Sequence, residues 1–107
     1  MLNKNPRIFL AGHNGLVGGA ILKQLIDRGY TNIITVPKKK LDLRNQKKVF
    51  NFIKAKKPKF IIIAAASVGG IAANNVFKAD FIYNNIAIQN NLIHSAFLNG
   101  VKNFQCF

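Results

Sequence analysis

Three glycines spaced three residues apart, directly after a short apolar run, restrict the fold of this chain more than any other feature. The run is Ile8 to Ala11, and the glycines are Gly12, Gly15 and Gly18. In dinucleotide-binding sites, glycines in this pattern permit a tight turn off a strand, close approach of a pyrophosphate and close helix packing. The N–H groups that begin the following helix then face the phosphates. The candidate phosphate-contacting residues are Gly12, His13, Asn14, Gly15, Leu16, Val17 and Gly18.

Strand and helix patterns alternate along the rest of the chain. Apolar or β-branched runs predict strands at Ile8 to Ala11, at 32–36, at 60–65 and at about 103–107. Three- and four-residue apolar spacing predicts helices between Val17 and Gly29, over 45–55 and over 80–99. The order β-α-β-α-β-α-β predicts a Rossmann-like, doubly wound parallel α/β sheet, truncated after about the fourth strand.

Composition gives a competing hypothesis. The chain has 107 residues and a net charge of +13, with 16 Lys and Arg against 3 Asp and Glu, which invites a small basic nucleic-acid-binding module. Ten of the sixteen basic residues lie within 38–59, and Asn, Ile and Lys together fill 41 positions, the bias of an AT-rich genome. A solvated basic surface is therefore the preferred interpretation, and nucleic-acid binding remains the alternative of a different class.

Targeting and metal-binding signals are weak. The single cysteine, Cys106, fits a reducing compartment and excludes an internal disulfide framework. The longest apolar stretch, 60–66, is too short to span a membrane. No grouping of His, Cys, Asp or Glu has the spacing of metal ligands. We expect a cytoplasmic protein without a metal site.

The residues about twenty positions after Gly18 predict which dinucleotide binds. NAD sites commonly place an acidic residue there, on the ribose 2′-hydroxyl. This sequence has Lys38, Lys39 and Lys40 instead, and a lysine would hold a 2′-phosphate that a carboxylate repels. The prediction is NADP(H) rather than NAD(H). Asp42 and Leu43 follow at a place suited to the adenine edge.

The sequence also resembles the extended short-chain dehydrogenase/reductase superfamily and, within it, the GDP-L-fucose synthase family. The glycine turn is shared across the superfamily, whereas Val-Gly-Gly-Ile at 68–71 and Ala-Asp-Phe-Ile-Tyr at 79–83 are more specific. The resemblance implies NADPH binding by 12–18 and by 38–43, and places the loop 68–71 near the sugar nucleotide. It also implies cofactor contacts from Ala64, Ala65, Ala66 and Asn85.

Departures from the family affect the cofactor site and the chemistry. Asn14 stands where an arginine is typical, so more of the 2′-phosphate binding would fall to Lys38. Members of the family use a Ser and a Tyr-x-x-x-Lys pair to pass a proton to the keto oxygen. The two tyrosines, Tyr30 and Tyr83, are not followed by lysine at that spacing. We therefore assign no catalytic residue in this chain.

The resemblance sets the expectations for function. Residues 1–107 are expected to be the N-terminal portion of an NADP-binding Rossmann domain from a GDP-L-fucose synthase-like epimerase-reductase, inactive as this fragment. The implied substrate is GDP-4-keto-6-deoxy-mannose, and the implied assembly is a homodimer. Another NAD(P)-dependent nucleotide-sugar epimerase or dehydratase of the superfamily remains open, because the glycine spacing is common to all of them.

Overall fold

Strands and helices alternate along the whole described chain. The computed structural model describes residues 5–64 and 79–107, with side chains in the last segment from residue 83 onward. The elements are β1 (Ile8–Ala11), α1 (Leu16–Asp27), β2 (Ile33–Ile34), α2 (Gln46–Lys56), β3 (Phe60–Ile63), α3 (Ala79–Leu98) and β4 (Asn103–Cys106). This is the predicted β-α-β-α-β-α-β order.

All four strands lie parallel in one sheet, in the order β2-β1-β3-β4. From β1 the chain crosses to β2 on one side and later returns to β3 on the other. Right-handed crossovers in opposite directions place α1 on one face and α2 with α3 on the other. The prediction of a Rossmann-like, doubly wound α/β sheet is confirmed. The junction between β1 and β3 is the point where ligands bind in such sheets, beyond the carboxyl ends of the strands.

The central strand β1 is buried on both of its faces. Phe9 and Leu10 point to opposite faces, as neighbours in a strand do, and neither has any solvent exposure. On one face Phe9 packs against Phe52 of α2, with ring centroids 4.9 Å apart. The continuous apolar run is therefore explained by cover on both sides, as predicted.

The second strand is shorter than predicted. Of residues 32–36, only Ile33 and Ile34 form strand, paired with Ile8 and Phe9. As an edge strand, β2 has one neighbour to hold it, and the chain turns away before Pro37, which has no N–H to donate. Val36 still packs against the core outside the ladder.

The helices begin and end close to the predicted positions. Asn45 precedes α2 as its N-cap, and its side chain accepts a hydrogen bond from the Lys48 N–H at 3.0 Å. Gly29 and Gly100 follow α1 and α3 with positive φ angles of 91° and 76°. The residue after each glycine donates its N–H five positions back, which is the Schellman arrangement that glycine permits.

The fourth strand is exposed. It pairs with β3 on one side, and all four of its residues are exposed. Phe104 and Phe107 are 44% and 56% exposed, and Phe97 at the end of α3 is 77% exposed. Among the described residues this leaves an exposed apolar edge at β4, the feature that a sheet truncated after about its fourth strand would have. Gln105, which would be out of place in a buried central strand, lies on this exposed edge.

Candidate dinucleotide-binding site

The first turn after β1 depends on a glycine. Gly12 has a φ of +92°, a conformation that side chains bearing Cβ rarely adopt. The N–H of Gly15 donates back to the Gly12 carbonyl oxygen at 3.2 Å and closes the turn. This turn carries the chain from the carboxyl end of β1 directly into α1.

Gly18 is required by close packing of the backbone. A Cβ built on Gly18 would lie 1.8 Å from the Gly12 carbonyl oxygen and 2.7 Å from the Gly12 carbonyl carbon. In the dinucleotide-binding pattern, the third glycine permits close packing of the helix on the strand. In the structure, Gly18 in the first turn of α1 makes its close contact with the glycine turn that follows β1, rather than with β1 itself.

Gly15 differs from the other two because the fold does not require it. Its φ and ψ of −78° and 172° are open to any residue, and an added Cβ would meet only the Gly12 carbonyl oxygen, at 3.6 Å. Gly15 is exposed and forms the N-cap of α1 without a side-chain hydrogen bond. No acidic residue lies in the first turn of α1, where the first N–H groups of a helix have no partner within the helix.

A second polar segment lies between β2 and α2. Lys38, Lys39 and Lys40 form an exposed turn, closed by the N–H groups of Lys40 and Leu41 on the Pro37 carbonyl oxygen. Because β1 and β2 are parallel neighbours, this segment follows the same edge of the sheet as the glycine turn. Both predicted cofactor-contacting segments therefore follow the carboxyl ends of neighbouring strands.

The Asp42 carboxylate is held by Arg44. Arg44 donates from its backbone N–H and Nε to Oδ1, both at 3.0 Å, and from Nη2 to Oδ2 at 2.9 Å. These bonds from the Arg44 side chain and backbone, aided by the charge of Lys38, lower the pKa of Asp42 from 3.8 to about 2. That effect also indicates that Lys38 lies within electrostatic range of Asp42.

Replacing Asp42 with asparagine is expected to have a small, pH-dependent effect on stability. A pKa lowered on folding stabilises the native state above the unfolded pKa near 4, and this contribution disappears as the pH falls toward 2. Both partners are more than 40% exposed, so solvent screening keeps the contribution below about 1 kcal/mol. Urea unfolding at pH 6 and pH 2.5 measures it. A larger loss at pH 2.5 than at pH 6 would contradict the assignment.

The other candidate residues occupy several environments. His13 is half-buried and Asn14 exposed in the glycine turn, while Leu16 is 90% exposed and Val17 half-buried at the start of α1. Ala64 is buried, and its N–H donates to the Ala11 carbonyl oxygen at 2.9 Å, which places it beside the turn. Ala65, Ala66 and the loop 68–71 lie outside the described residues. The roles of all these residues in cofactor binding stay predictions.

Asn85 lies on a separate element from these segments. It is half-buried on α3, a helix that packs against α2 and β3. Among residues 5–64 and 79–107, no helix is long and apolar enough to cross a membrane. The same residues contain no group of three or more His, Cys, Asp or Glu side chains that could hold a metal ion.

Comparison with known proteins identifies the family of this chain. A family model described as the NAD dependent epimerase/dehydratase family matches residues 8–106. This chain belongs to that family.

Relatives within the NAD dependent epimerase/dehydratase family include GDP-L-fucose synthases. The chain is 52% identical over 102 residues to a protein named putative GDP-L-fucose synthase 2 from Arabidopsis thaliana, covering 95% of this chain and 31% of the relative. It is 43% identical over 96 residues to GDP-L-fucose synthase of Escherichia coli, covering 90% of this chain and 30% of that protein. The chain therefore spans about a third of the length of the curated relatives it matches.

Solved structures of related enzymes share the fold. One is GDP-mannoheptose C4 reductase from Campylobacter jejuni with NADP bound, at 41% identity and a TM-score of 0.89, covering all of this chain and 34% of that one. Another is a dTDP-4-dehydrorhamnose reductase from Bacillus anthracis in complex with NADP, at 26% identity and a TM-score of 0.74, covering 95% of this chain and 36% of that one. The resemblance identified from the sequence is confirmed.

Two residues that contact the segment 38–43, Arg44 and Asn91, are not among the predicted site residues. Arg44 was counted only as part of the basic cluster, although an arginine two positions after an aspartate in a turn is a local signal for a pair. Asn91 was missed because its partner, the Leu43 carbonyl oxygen at 2.9 Å, is 48 residues away. No local pattern points to a contact between segments so far apart.

Proposed function

We propose that this chain binds NADP(H) at the edge formed by the glycine turn and the segment 38–43. The observation that carries the proposal is Gly15, whose backbone and surroundings do not require glycine. Leaving that position without a Cβ is useful where a phosphate group must approach the backbone closely. The start of α1, exposed at Gly15 and Leu16 and with no acidic residue in its first turn, fits a pyrophosphate.

The phosphate on the adenosine ribose would be held by lysine. Lys38 and Lys39 are exposed, and the charge of the nearby Asp42 carboxylate is engaged by Arg44. A 2′-phosphate would therefore meet positive charge with little opposing repulsion. When bound, NADPH would supply a hydride, while the residues described here bind and orient its adenosine and pyrophosphate parts.

Preference for the 2′-phosphate tests this assignment. The chain is expected to bind NADPH more tightly than NADH, and Lys38→Gln is expected to reduce the preference by about fivefold, because one charge-assisted contact is lost. Lys54→Gln is the matched control, since Lys54 is an exposed lysine on the outer face of α2. Calorimetric titration of each protein with both nucleotides gives the ratio. Equal affinity for NADH and NADPH in the unmodified chain would contradict the proposed specificity.

We further propose that the chain is the N-terminal portion of a larger Rossmann domain. Its exposed edge strand and the exposed apolar side chains of Phe97, Phe104 and Phe107 support this, because further strands and helices would cover them. The chain also spans only about a third of its curated relatives, such as the Arabidopsis protein at 31%. No catalytic residue is assigned within the chain, so this portion is expected to be inactive alone.

The whole protein is proposed to act as a GDP-L-fucose synthase-like epimerase-reductase. Its substrate would be a nucleotide sugar, GDP-4-keto-6-deoxy-mannose by resemblance, and its assembly a homodimer in the cytoplasm. Identities of 43% and 52% to GDP-L-fucose synthases support this choice. A related epimerase or dehydratase is the alternative, since a GDP-L-colitose synthase from Yersinia pseudotuberculosis is 38% identical. Turnover assays on the complete protein with each sugar nucleotide distinguish the two.

A further inference from the structure

Asn91 connects α3 to the segment that follows the lysine turn. Its side-chain Nδ2 donates to the Leu43 carbonyl oxygen at 2.9 Å, across 48 residues of sequence, in a partly buried position. Leu43 directly follows Asp42, and both residues are predicted to lie at the adenine edge. The bond thus holds the peptide next to a proposed ligand contact.

The segment itself is fixed at several other points. Leu41 is 5% exposed within the core, and Leu43 packs against the core, so the half-exposed Asp42 between them points to the other side. The Asp42 carbonyl oxygen accepts the Asn45 N–H at 3.0 Å. The side-chain bond from Asn91 adds a link from outside the segment. It restricts rotation of the Leu43–Arg44 peptide, whose N–H donates to Asp42 Oδ1 at 3.0 Å, and so it also restrains the Asp42 carboxylate.

The packing of α3 fixes the position of Asn91 along the direction of the strands. Leu92, Ser95 and Ala96 are all buried, so α3 cannot rotate without exposing them. Asn91 lies seven residues before the end of α3, about 10 Å along the axis at 1.5 Å per residue. The four residues of β4 rise by a similar amount, about 10 Å at 3.3 Å per residue. Asn91 therefore lies near the level of the carboxyl ends of the strands, where the proposed cofactor site is.

We infer that Asn91 is a positioning residue for the adenosine half of the bound dinucleotide. It acts through the Leu43 carbonyl oxygen and orders the segment 41–43 before the ligand arrives. Preorganisation of this kind raises affinity because the ordering cost is met during folding rather than on binding. The inference rests on the proposed function, NADP(H) binding at this edge.

Asn99 provides a matched control. Its Nδ2 donates to the Ser95 carbonyl oxygen at 2.9 Å and to the Phe50 carbonyl oxygen at 3.4 Å, so it also bridges α3 and α2 from a partly buried position. Phe50 lies within α2, away from the segment 41–43. Loss of Asn99 removes a similar contact between helices without touching the proposed adenosine contacts.

The experiment compares Asn91→Ala and Asn99→Ala in the 107-residue chain. Calorimetric titrations use 2′,5′-ADP as a probe for the adenosine half and NADPH for the whole dinucleotide. We expect Asn91→Ala to weaken 2′,5′-ADP binding by up to about tenfold, because the cost of ordering the segment 41–43 would then fall on binding. Asn99→Ala is expected to stay within about twofold of the unmodified chain, because it lowers stability without altering the site.

The outcomes separate the two proposals. Unchanged 2′,5′-ADP affinity in Asn91→Ala, in a chain that binds NADPH, would overturn the positioning role alone. An equal loss in Asn91→Ala and Asn99→Ala would also overturn it, since general loosening of the helices would explain both. No binding of NADPH by the unmodified, folded chain would overturn the proposed function itself. Asn91→Leu, which keeps the side-chain volume, gives the same comparison if the alanine variant does not fold.

Discussion

Replacing Gly18 with alanine is expected to destabilise the chain by about 3 kcal/mol or more, because a buried clash with backbone is among the mutational effects that reach or exceed the upper end of the usual range. The added Cβ would lie 1.8 Å from the Gly12 carbonyl oxygen. That oxygen belongs to backbone, so it cannot move aside as a flexible side chain would. Relief requires α1 to shift away from the glycine turn. Urea unfolding followed by circular dichroism measures the loss.

The neighbouring Gly19 supplies the control for this prediction. A Cβ on Gly19 would meet only the His13 carbonyl oxygen, at an ordinary 3.6 Å. Gly19 lies inside α1, where alanine is favoured over glycine by about 0.5 to 1 kcal/mol, so Gly19→Ala is expected to stabilise the chain slightly. Equal stability of the Gly18→Ala and Gly19→Ala variants would show that the close packing at Gly18 is wrong.

Replacing Gly15 with valine is expected to abolish NADPH binding while the fold remains. The extended backbone at Gly15 accepts any residue, and the surrounding space accommodates a side chain, so the free energy of unfolding should change by no more than about 1 kcal/mol. The valine side chain would occupy the space in which the pyrophosphate is proposed to approach α1. We expect the affinity to fall by about 100-fold or more, equivalent to about 2.7 kcal/mol.

Gly15→Ala completes this comparison as a graded variant. One methyl group should cost less affinity than the branched valine side chain, again without loss of the fold. Nicotinamide fluorescence titrations give the affinities, and circular dichroism of the same samples reports the folded state. NADPH affinity unchanged by valine would mean that the turn is merely a glycine-rich connection between strand and helix.

Much of the fold was predictable because its signals are local. Uninterrupted apolar runs identified β1 and β3 as strands covered on both faces, and Gly29 and Gly100 identified helix ends through their backbone freedom. The length of β2 was wrong, since it depends on having one neighbouring strand rather than on the β-branched residues within it. Whether a strand lies at the edge of a sheet depends on the other strands, so residues 32–36 alone do not show it.

The candidate site was predictable to a lesser extent. The glycine spacing predicted the turn, but whether each glycine is needed for folding or for a ligand depends on which atoms lie near its Cβ. Gly15 and Gly18 look equivalent in the sequence and differ by 1.8 Å in the closest contact of an added Cβ, 3.6 Å against 1.8 Å. The bond between Asn91 and Leu43 joins residues 48 apart and could be found only from the folded chain.

Calorimetric titration of the 107-residue chain with NADPH tests the central claim most directly, in a sample shown by circular dichroism to be folded. The structure predicts saturable binding with one nucleotide per chain, and competition by 2′,5′-ADP. Absence of saturable binding in that folded sample would contradict the assignment of the glycine turn and the segment 38–43 as an NADP(H) site.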